Sequence, residues 1–415
     1  MEAKTFSSAI CKQDYRETGT EAHCRRVAAW TEELCRATKR TRDEANALAE
    51  AAKAHHYPDV MSGTTMARIC KDLGVRPPDQ VESSEELAHM ILAQFRGFSQ
   101  GNKRVVELSM ILEAANLIDE ELEYAPFADA LVGGTGKEHQ HLSALMQKLR
   151  LANLRHLDEI IPRLPVYPVA ATQLYRLLCS DEFDLAAAAQ AASRDQVIAG
   201  KLINAANSAF YHPRERINSL ERAILYIGTN DARRLLLATS IQPLFSAPKL
   251  KMLWEHAVYA AQVAERIAVA TGGRVDSAEA FLSGLLHDVG KLAIAQLPAG
   301  VIKAIDRLVS RGCQPAAVET VVCGFDHAAA GEHVLRHWNF TDEIVQAIRH
   351  HHQPERTTSR LASVLYLTEF WTDSEEDLPS QARLTVALEQ LGLTAEELDQ
   401  LLAEEQGALK VLSDA

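Results

Sequence analysis

The chain has 415 residues, of which 47% are hydrophobic, and its formal net charge is −13. This length and apolar content suit two or three domains with packed cores, and the acidic balance argues against a general nucleic-acid binder. No apolar run reaches the roughly 18 residues of a membrane helix, so no membrane association is expected. The seven cysteines form no Cys-x-x-Cys pair and follow no signal-peptide pattern, which predicts reduced thiols in a cytoplasmic protein.

Apolar residues recur with a 3.6-residue period and alternating strand patterns are absent, which predicts an all-α protein. Near the start, His23 begins an amphipathic helix and His55-His56 closes an alanine-rich run. The same order recurs around His256 and His287, with separations of 32 and 31 residues. Two interpretations stay open: a worn internal repeat, or a plain helical bundle with chance histidines.

Residues 132–154 are predicted to form a linker and a connecting helix. The stretch 131–138 is rich in glycine, but its spacing does not fit a phosphate-binding loop. Leu131 stands where that loop needs its first glycine, and Glu138 stands where it needs Ser or Thr. We therefore expect a flexible segment or a helix stop there.

Prolines mark the start of the next segment, residues 155–245. Pro162, Pro165 and Pro168 predict extended backbone ahead of four or five helices. Asn207 ends one of these helices, and its side chain can bond nearby backbone groups. These helices either pack for stability alone, or they also cover a site or dock a partner.

Histidines and carboxylates are concentrated in residues 246–372, and eight of the sixteen histidines lie between His256 and His352. Imidazole with carboxylate is the ligand set of Zn, Fe, Mn or Ni sites. One or two such ions would lower the pKa of a bound water and stabilise attack on a phosphoester. The candidate ligands are His256, His287, Asp288, His327, His351, His352 and Glu369. Asp288 and Lys291 are the candidate catalytic residues, with Lys291 offering a positive charge to a phosphate.

In this order the residues resemble the HD superfamily of metal-dependent phosphohydrolases, and the upstream segments resemble the HDOD family within it. Three stretches carry the upstream resemblance: residues 161–168, 201–211 with their Asn-Ser pair, and 217–228. The resemblance implies two helical lobes, with the metal site in the second. Many HDOD proteins have lost ligands and act as regulatory modules, whereas this chain resembles the less eroded members.

Two departures from the family patterns bear on mechanism. The related HD-GYP enzymes, which hydrolyse cyclic di-GMP, carry a Gly-Tyr-Pro loop after their His-His pair, and here Gln353 and Pro354 begin a different sequence. Glu369 stands at the position of the last ligand, an aspartate in the HD pattern, and is one methylene longer. Catalysis is therefore not implied by the resemblance alone.

The front of the chain resembles a degenerate HD or HD-GYP domain. His56 replaces the metal-binding aspartate, and Asn116, at the end of the apolar stretch 105–116, takes the place of the final acid. Because His23, His55 and His56 lack a carboxylate partner in the pattern, we expect a metal-free front domain without catalysis.

The tail, residues 373–415, holds eleven acids against Arg383 and Lys410. Its periodic leucines and the capping box from Thr394 to Glu397 predict two short amphipathic helices. These helices either pack back on the core or bind a partner.

The predicted architecture is all-α, with tandem helical HD-like domains, the second an HDOD domain with two helical lobes. The predicted segments are 1–131, 132–154, 155–245, 246–372 and 373–415. Two functional classes remain open. One is a cytoplasmic, bacterial-type signal-transduction protein with a protein partner, whose front domain senses a signal or forms a homodimer. The other is a metal-dependent phosphohydrolase acting on a nucleotide or cyclic dinucleotide.

Overall fold

The computed structural model describes residues 21–54, 108–119 and 144–165 with gaps at 109, 113, 117 and 146, residue 177, residues 185–208 except 195, and residues 211–247, 250–372 and 381–403. Every regular element in these ranges is helical. The prediction of an all-α fold is confirmed. None of these helices combines the length and the apolar character that crossing a membrane requires.

The α-helices are numbered here in chain order. They are α1 (Glu21–Ala37), α2 (Arg42–Ala54), α3 (Leu154–Ile160), α4 (Leu185–Ser193), α5 (Gln196–Ala206), α6 (Leu220–Ile227), α7 (Thr229–Ile241), α8 (Lys251–Ala270), α9 (Ser277–Leu286), α10 (Gly290–Ile294), α11 (Ala299–Val309), α12 (Pro315–Cys323), α13 (His327–His337), α14 (Asp342–Arg349), α15 (Arg360–Thr372), α16 (Gln381–Leu391) and α17 (Ala395–Ala403). Short 3-10 helices span Ile161–Arg163, Gln242–Phe245 and Pro354–Arg356.

The described residues divide into two compact units. The front unit comprises those within 12–159 and 294–327, and the rear unit comprises those within 160–293 and 328–415. Residues 294–327 thus pack with the front of the chain, although they lie inside the predicted segment 246–372. The predicted domain boundaries stay predictions, because a packing unit and a family domain need not coincide.

Two ion pairs tie residues 294–327 into the front unit. Arg307 on α11 binds Glu33 on α1 through Nη2–Oε1 and Nε–Oε2 contacts of 2.6 and 3.1 Å. Arg311 Nη1 lies 2.6 Å from Glu32 Oε2, one residue earlier on α1. Paired forks of this kind fix the orientation of a guanidinium as well as its charge. They hold α11 along α1.

Helices α8 and α9 form the centre of the rear unit because small residues let their backbones meet. Ala257, Ala260, Ala261 and Ala264 form a buried stripe on α8. A Cβ at Gly284 of α9 would lie 2.6 Å from the Ala261 Cα atom and 2.9 Å from its backbone nitrogen. No side chain fits at so close a crossing, so Gly284 is required for it.

Helices α4 to α7 pack into a lobe with its own alanine- and leucine-rich core. Asn207, just after α5, donates from Nδ2 to the carbonyls of Ile203 and Ile217 and accepts at Oδ1 from the Ile217 N–H, at 2.7, 2.8 and 2.9 Å. Its predicted bonding to backbone is thus confirmed. The prediction for Pro162 is wrong: this residue opens a 3-10 helix directly after α3, and extended backbone appears only at Leu164. Proline fits the first turn of a helix because it has no N–H to satisfy there.

A partly buried ion pair connects this lobe to α8. Arg234 on α7 donates from Nε to Glu265 Oε2 at 2.6 Å and from Nη1 to Asp231 Oδ1 at 2.7 Å. Tyr211 donates its hydroxyl to the other oxygen of Asp231 at 3.1 Å. The chain of contacts satisfies Glu265, which is buried on the helix that also carries His256.

The tail helices α16 and α17 pack on the rear unit. Arg274 donates from Nη1 to the Leu391 carbonyl at 2.9 Å, and Arg266 donates to the Leu401 carbonyl. The predicted capping box is present, because Thr394 N–H binds Glu397 Oε2 at 2.8 Å and Glu397 N–H binds Thr394 Oγ1 at 3.2 Å. Of the two interpretations of this segment, packing back on the core is the one that these contacts support.

Four cysteines are described, and all are buried thiols outside any disulfide: Cys24, Cys35, Cys313 and Cys323. Burial raises the pKa of Cys35 and of Cys323 to about 12. Both thiols therefore stay protonated at neutral pH and pack as small apolar groups rather than as nucleophiles.

Candidate metal centre

The close crossing of α8 and α9 brings two histidine rings together edge to face, at an interplanar angle of 62°. His256 lies near the start of α8, one turn before Ala260, and His287 caps the end of α9, one turn after Gly284. The two Nε2 atoms are 3.2 Å apart. Asp276 caps the other end of α9, where its Oδ1 accepts from the N–H groups of Ala278 and Glu279 at 2.9 and 2.8 Å.

Two carboxylates complete the cluster. Asp288 Oδ2 lies 3.4 Å from His287 Nε2 and 3.8 Å from His256 Nε2. Glu369, near the end of α15, places Oε1 2.8 Å from His287 Nε2. The ligand atoms of His256, His287, Asp288 and Glu369 all lie within 4.8 Å of one another.

Hydrogen bonds to the helix backbone orient two of the imidazoles. His287 Nδ1 lies 2.7 Å from the Gly284 carbonyl oxygen, and His351 Nδ1 lies 2.6 Å from that of Ile348. A carbonyl can only accept, so Nδ1 carries the proton in both rings, and in the neutral ring the lone pair is on Nε2. Fixing one ring nitrogen in this way is how proteins present the other to a metal.

The charges at the cluster favour a cation at its centre. Burial lowers the pKa of His287, but Asp288 and Glu369 outweigh this effect and hold that pKa well above its ordinary value. Burial raises the pKa of Glu369, yet the charge of His287 holds it well below its usual range. Burial and the charge of His287 lower the pKa of His256. A proton on His287 or a divalent ion would each neutralise these carboxylates.

The donor set fits a divalent transition metal. Two imidazole nitrogens and two carboxylate oxygens at this spacing are typical of Zn, Fe, Mn or Ni sites. His256 is 23% exposed at its side chain whereas Asp288 is 1% exposed, so the cluster opens toward solvent on the His256 side. An ion there would be held from inside and would keep one side for water or a ligand.

Lys291 is directed at the cluster itself. Its Nζ lies 2.7 Å from Asp288 Oδ2, one turn along the chain, and its side chain is 33% exposed. The predicted role of Lys291 toward a phosphate stays a prediction, because in this structure the Lys291 ammonium forms an ion pair with Asp288.

The other predicted residues lie as follows. His351 is fully buried, and its Nε2 is 3.9 Å from Glu369 Oε1. The rings of His352 and His351 are tilted by 41° with centroids 4.0 Å apart, and the charge of His352 helps to lower the pKa of Glu369. His327 belongs to the front unit, where it is the buried first residue of α13. The rear unit thus brings together seven of the eight candidates, and their roles as ligands or catalysts remain predictions.

Sequence reasoning missed two residues that build this region. Gly284 permits the crossing of α8 and α9, and a lone glycine inside an apolar helix was the available signal. Glu319 lies on α12 and binds the ring of His327 at 2.6 Å. It stands eight residues before His327, across a turn, so no helical spacing connects the two.

The front unit contains a second cluster of a histidine and a carboxylate, and in this cluster the cation is the guanidinium of Arg26. His23 Nδ1 lies 2.8 Å from Asp119 Oδ2, and Arg26 donates to the same carboxylate from Nε and Nη2 at 2.8 and 3.0 Å. The expectation that His23 has no carboxylate partner is therefore wrong. The carboxylate that His23 contacts is Asp119, one helical turn after Asn116, and the assignment of Asn116 to the acid position of the family pattern stays a prediction. His55 and His56 lie outside the described residues.

The sequence matches the family model of the HDOD domain over residues 164–354. The chain carries an HDOD domain. An HDOD domain protein from Geobacter sulfurreducens has a similar fold, with a TM-score of 0.53 and 20% identity over 63% of this chain and 96% of that one. A Marinobacter aquaeolei VT8 protein, whose crystal structure is named for signal transduction, has a TM-score of 0.54 and 17% identity over 92% of this chain and 86% of that one.

One curated relative of the HDOD-containing chain is a cyclic di-GMP phosphodiesterase, CdgJ of Vibrio cholerae. It is 28% identical over 129 residues, which are 31% of this chain and 30% of that protein. The chain spans about half or less of the length of the curated relatives it matches.

Proposed function

We propose that this protein is a signal-transduction protein whose HDOD domain binds one divalent ion at His256, His287, Asp288 and Glu369. The observation that carries the proposal is the geometry of these four side chains, with two Nε2 atoms 3.2 Å apart facing two buried carboxylates. His351, 3.9 Å from Glu369, is proposed as an adjacent ligand, and His352 as its support.

We keep His327 in the proposed ligand set because of its place in the order of histidines that resembles the HD pattern. Gly331, one turn later on α13, lies against Val289 and Gly290, so that an added Cβ would be 3.6 Å from each. These two residues directly follow Asp288 in the chain. The part of α13 that lies in the rear unit therefore packs against the turn that follows Asp288.

The contact between Lys291 and Asp288 favours a regulatory role over hydrolysis. A site for two ions needs a carboxylate that bridges them, and here Asp288 Oδ2 is already bound by the lysine at 2.7 Å. A bound ion would act as a Lewis acid and lower the pKa of a coordinated water. With a single ion, we propose that the main consequence is a change in the state of the HDOD domain that a protein partner reads.

A metal-dependent phosphohydrolase acting on a nucleotide or cyclic dinucleotide is the second candidate. The similarity to a cyclic di-GMP phosphodiesterase over 129 residues and the partial exposure of Lys291 favour it. If the protein is a hydrolase, the Lys291 side chain moves from Asp288 to a phosphate of the substrate when the substrate binds.

The test begins with metal analysis of the full chain purified without chelators, followed by titration with Mn²⁺ and Zn²⁺. We expect bound metal in the wild-type protein, and Asp288→Ala should weaken binding by more than about 100-fold, since even outer-shell changes cost 10–100-fold. The melting temperature should change little, because Asp288→Ala also removes a buried carboxylate. If chelation and Asp288→Ala lower the melting temperature equally, the ion is structural.

A hydrolysis panel with mononucleotides and cyclic di-GMP then separates the two candidates. Metal binding without turnover supports the regulatory proposal. Metal-dependent turnover that is lost in Asp288→Ala supports the hydrolase instead. A wild-type protein that takes up no ion, with His256→Ala and Asp288→Ala unchanged from it, contradicts both.

A further inference from the structure

The loop 353–359 in the rear unit joins two elements of the proposed metal centre. His351 and His352 directly precede this loop, and α15, which carries Glu369, directly follows it. His351 Nε2 lies 3.9 Å from Glu369 Oε1, so the elements on the two sides of the loop meet at the cluster. The conformation of the loop therefore sets how the histidine pair is placed against Glu369.

One side chain of the tail helix α16, Gln390, holds this loop. Its Nε2 atom donates to the carbonyl oxygens of Pro354 and Thr357, at 3.3 and 3.2 Å. Its Oε1 atom accepts from the hydroxyl of Ser363, a fully buried residue on α15. Because carbonyl oxygens only accept, these contacts use both N–H groups of the amide and define its orientation. Gln390 thus ties the loop to α15.

Two further contacts join α16 to the same region. Arg383 donates from Nε to Glu355 Oε1 at 2.9 Å, and Arg360, the first residue of α15, donates from Nε to the Gln390 carbonyl oxygen at 3.3 Å. The pair of Arg383 and Glu355 is partly exposed, and such pairs are weak. The amide of Gln390 instead reaches both the loop and α15, so it is the side chain of α16 best placed to fix them together.

We infer that Gln390 is a positioning residue for the metal centre, an inference that rests on the function proposed above. By holding the loop against α15, it fixes the separation of the His351-His352 pair from Glu369 before an ion binds. Ligands placed in advance need less ordering when the ion enters, so the affinity for the ion is higher. Such coupling is reciprocal, and a bound ion must in turn stabilise the contact of α16 with the loop. The tail helix thereby reports whether the site is filled.

Two substitutions separate positioning from simple packing. Gln390→Glu keeps an oxygen that accepts from Ser363 but cannot donate to the two loop carbonyls, whereas Gln390→Ala removes all three side-chain contacts. The negative charge added in Gln390→Glu by itself favours a nearby cation, so a loss of affinity in this variant comes from the lost loop contacts. Glu389→Ala is the matched control, because Glu389 is the exposed neighbour of Gln390 on α16.

The first measurement is calorimetric titration of the full chain with Zn²⁺ alone, with thermal unfolding of each apo variant. We expect both Gln390 variants to raise Kd by about 5-fold or more, the lower end of typical couplings between sites. Glu389→Ala should leave Kd unchanged. A role in packing alone would lower the melting temperature of Gln390→Ala without changing Kd.

The second measurement uses the wild-type protein, so it does not depend on the folding of a variant. Hydrogen exchange is followed with and without Zn²⁺ in α16 and in the loop 353–359, and α4 of the same unit is the reference for general stabilisation. We expect Zn²⁺ to slow exchange in α16 and in the loop more than in α4.

The outcomes distinguish this inference from the function on which it rests. Suppose that the wild-type protein binds Zn²⁺ and that Asp288→Ala abolishes binding. If both Gln390 variants then keep the wild-type Kd, or if Zn²⁺ slows exchange in α16 no more than in α4, Gln390 only packs α16 on the loop and the inference fails. If the wild-type protein binds no Zn²⁺, the proposed function itself fails, and the positioning role fails with it.

Discussion

The front and rear units each contain a histidine near the start of a helix with a carboxylate close to it, but the two units neutralise that carboxylate differently. In the front unit, Arg26 and His23 both bind Asp119, so a guanidinium on the same helix supplies the cation. In the rear unit, the residue three positions after His256 is Tyr259, which carries no charge. There the carboxylates share His287 and Lys291.

The difference shows how an arginine can occupy the place that a metal ion would take beside a histidine and a carboxylate. Asp119 has its two oxygens engaged by the fork of Arg26, which matches a carboxylate in both spacing and charge. Asp288 and Glu369 instead face Nε2 of His287, whose ring is held in place by the contact of its Nδ1 with the Gly284 carbonyl. In the front unit, Arg26, three residues after His23, supplies a permanent positive charge to the carboxylate. In the rear unit, the carboxylates instead favour a proton on His287 or a bound ion.

The largest effect is expected from breaking the front cluster with Asp119→Ala. This change leaves the Arg26 guanidinium and the ring of His23 without their carboxylate in a buried position, and removing one partner of a buried pair costs about 3–5 kcal/mol. Urea unfolding should show this loss, and hydrogen exchange should place it in α1. Metal binding by the rear unit should be unchanged.

Asp158→Ala is the control for that experiment. Asp158 is exposed on α3, and surface substitutions of this kind stay within about 0.5 kcal/mol. Equal stability of Asp119→Ala and Asp158→Ala would show that the front cluster contributes nothing, and the comparison between the two units would lose its physical basis.

A second substitution tests the rear side of the comparison. In Gly284→Ala the new methyl group would lie 2.6 Å from the Ala261 Cα atom, so α8 and α9 must separate. Overpacking of this kind costs about 1–3 kcal/mol. Because His256 and His287 come from these two helices, their Nε2 atoms move apart as well. We expect a lower unfolding free energy together with weaker Zn²⁺ binding in calorimetry.

Gly200→Ala is the matched control, since Gly200 lies inside α5 of the same unit with nothing within 4 Å of an added Cβ. Replacing a helical glycine by alanine at an open position stabilises by up to about 1 kcal/mol. If both alanine variants gain stability, the close crossing does not constrain the metal centre.

The two clusters also show how far sequence reasoning reaches. The side chains that meet in the rear cluster could be named from the sequence because His287 and Asp288 are adjacent and because imidazole and carboxylate chemistry depends on residue type. The all-α fold followed from periodicity. Asp119 could not be told from Asn116 by pattern, since both lie on one face of a helical segment, one turn apart. Which of the two meets His23 depends on how far that segment slides along α1.

Tertiary packing decided the remaining features. Glu319 contacts His327 across a reversal at Gly324, and such a contact has no fixed sequence spacing. The grouping of residues 294–327 with the front unit depends on the ion pairs of Arg307 and Arg311 with α1. Charged residues on exposed helix faces are common, so their pattern alone does not identify partners more than 250 residues apart.

The smallest effect is expected from Arg26→Lys, which asks whether charge or the fork geometry closes the front cluster. Lysine keeps the positive charge beside Asp119 but offers one ammonium in place of the paired Nε and Nη2 donors. One charge-assisted hydrogen bond is lost while the carboxylate stays neutralised, so we expect a loss of about 1 kcal/mol in urea unfolding. The resulting contact has the form of the single Lys291–Asp288 contact in the rear unit. If Arg26→Lys is as damaging as Asp119→Ala, the bidentate geometry rather than the charge holds the front cluster. If it has no effect, any cation suffices there, and the two units differ only in whether the chain itself supplies one.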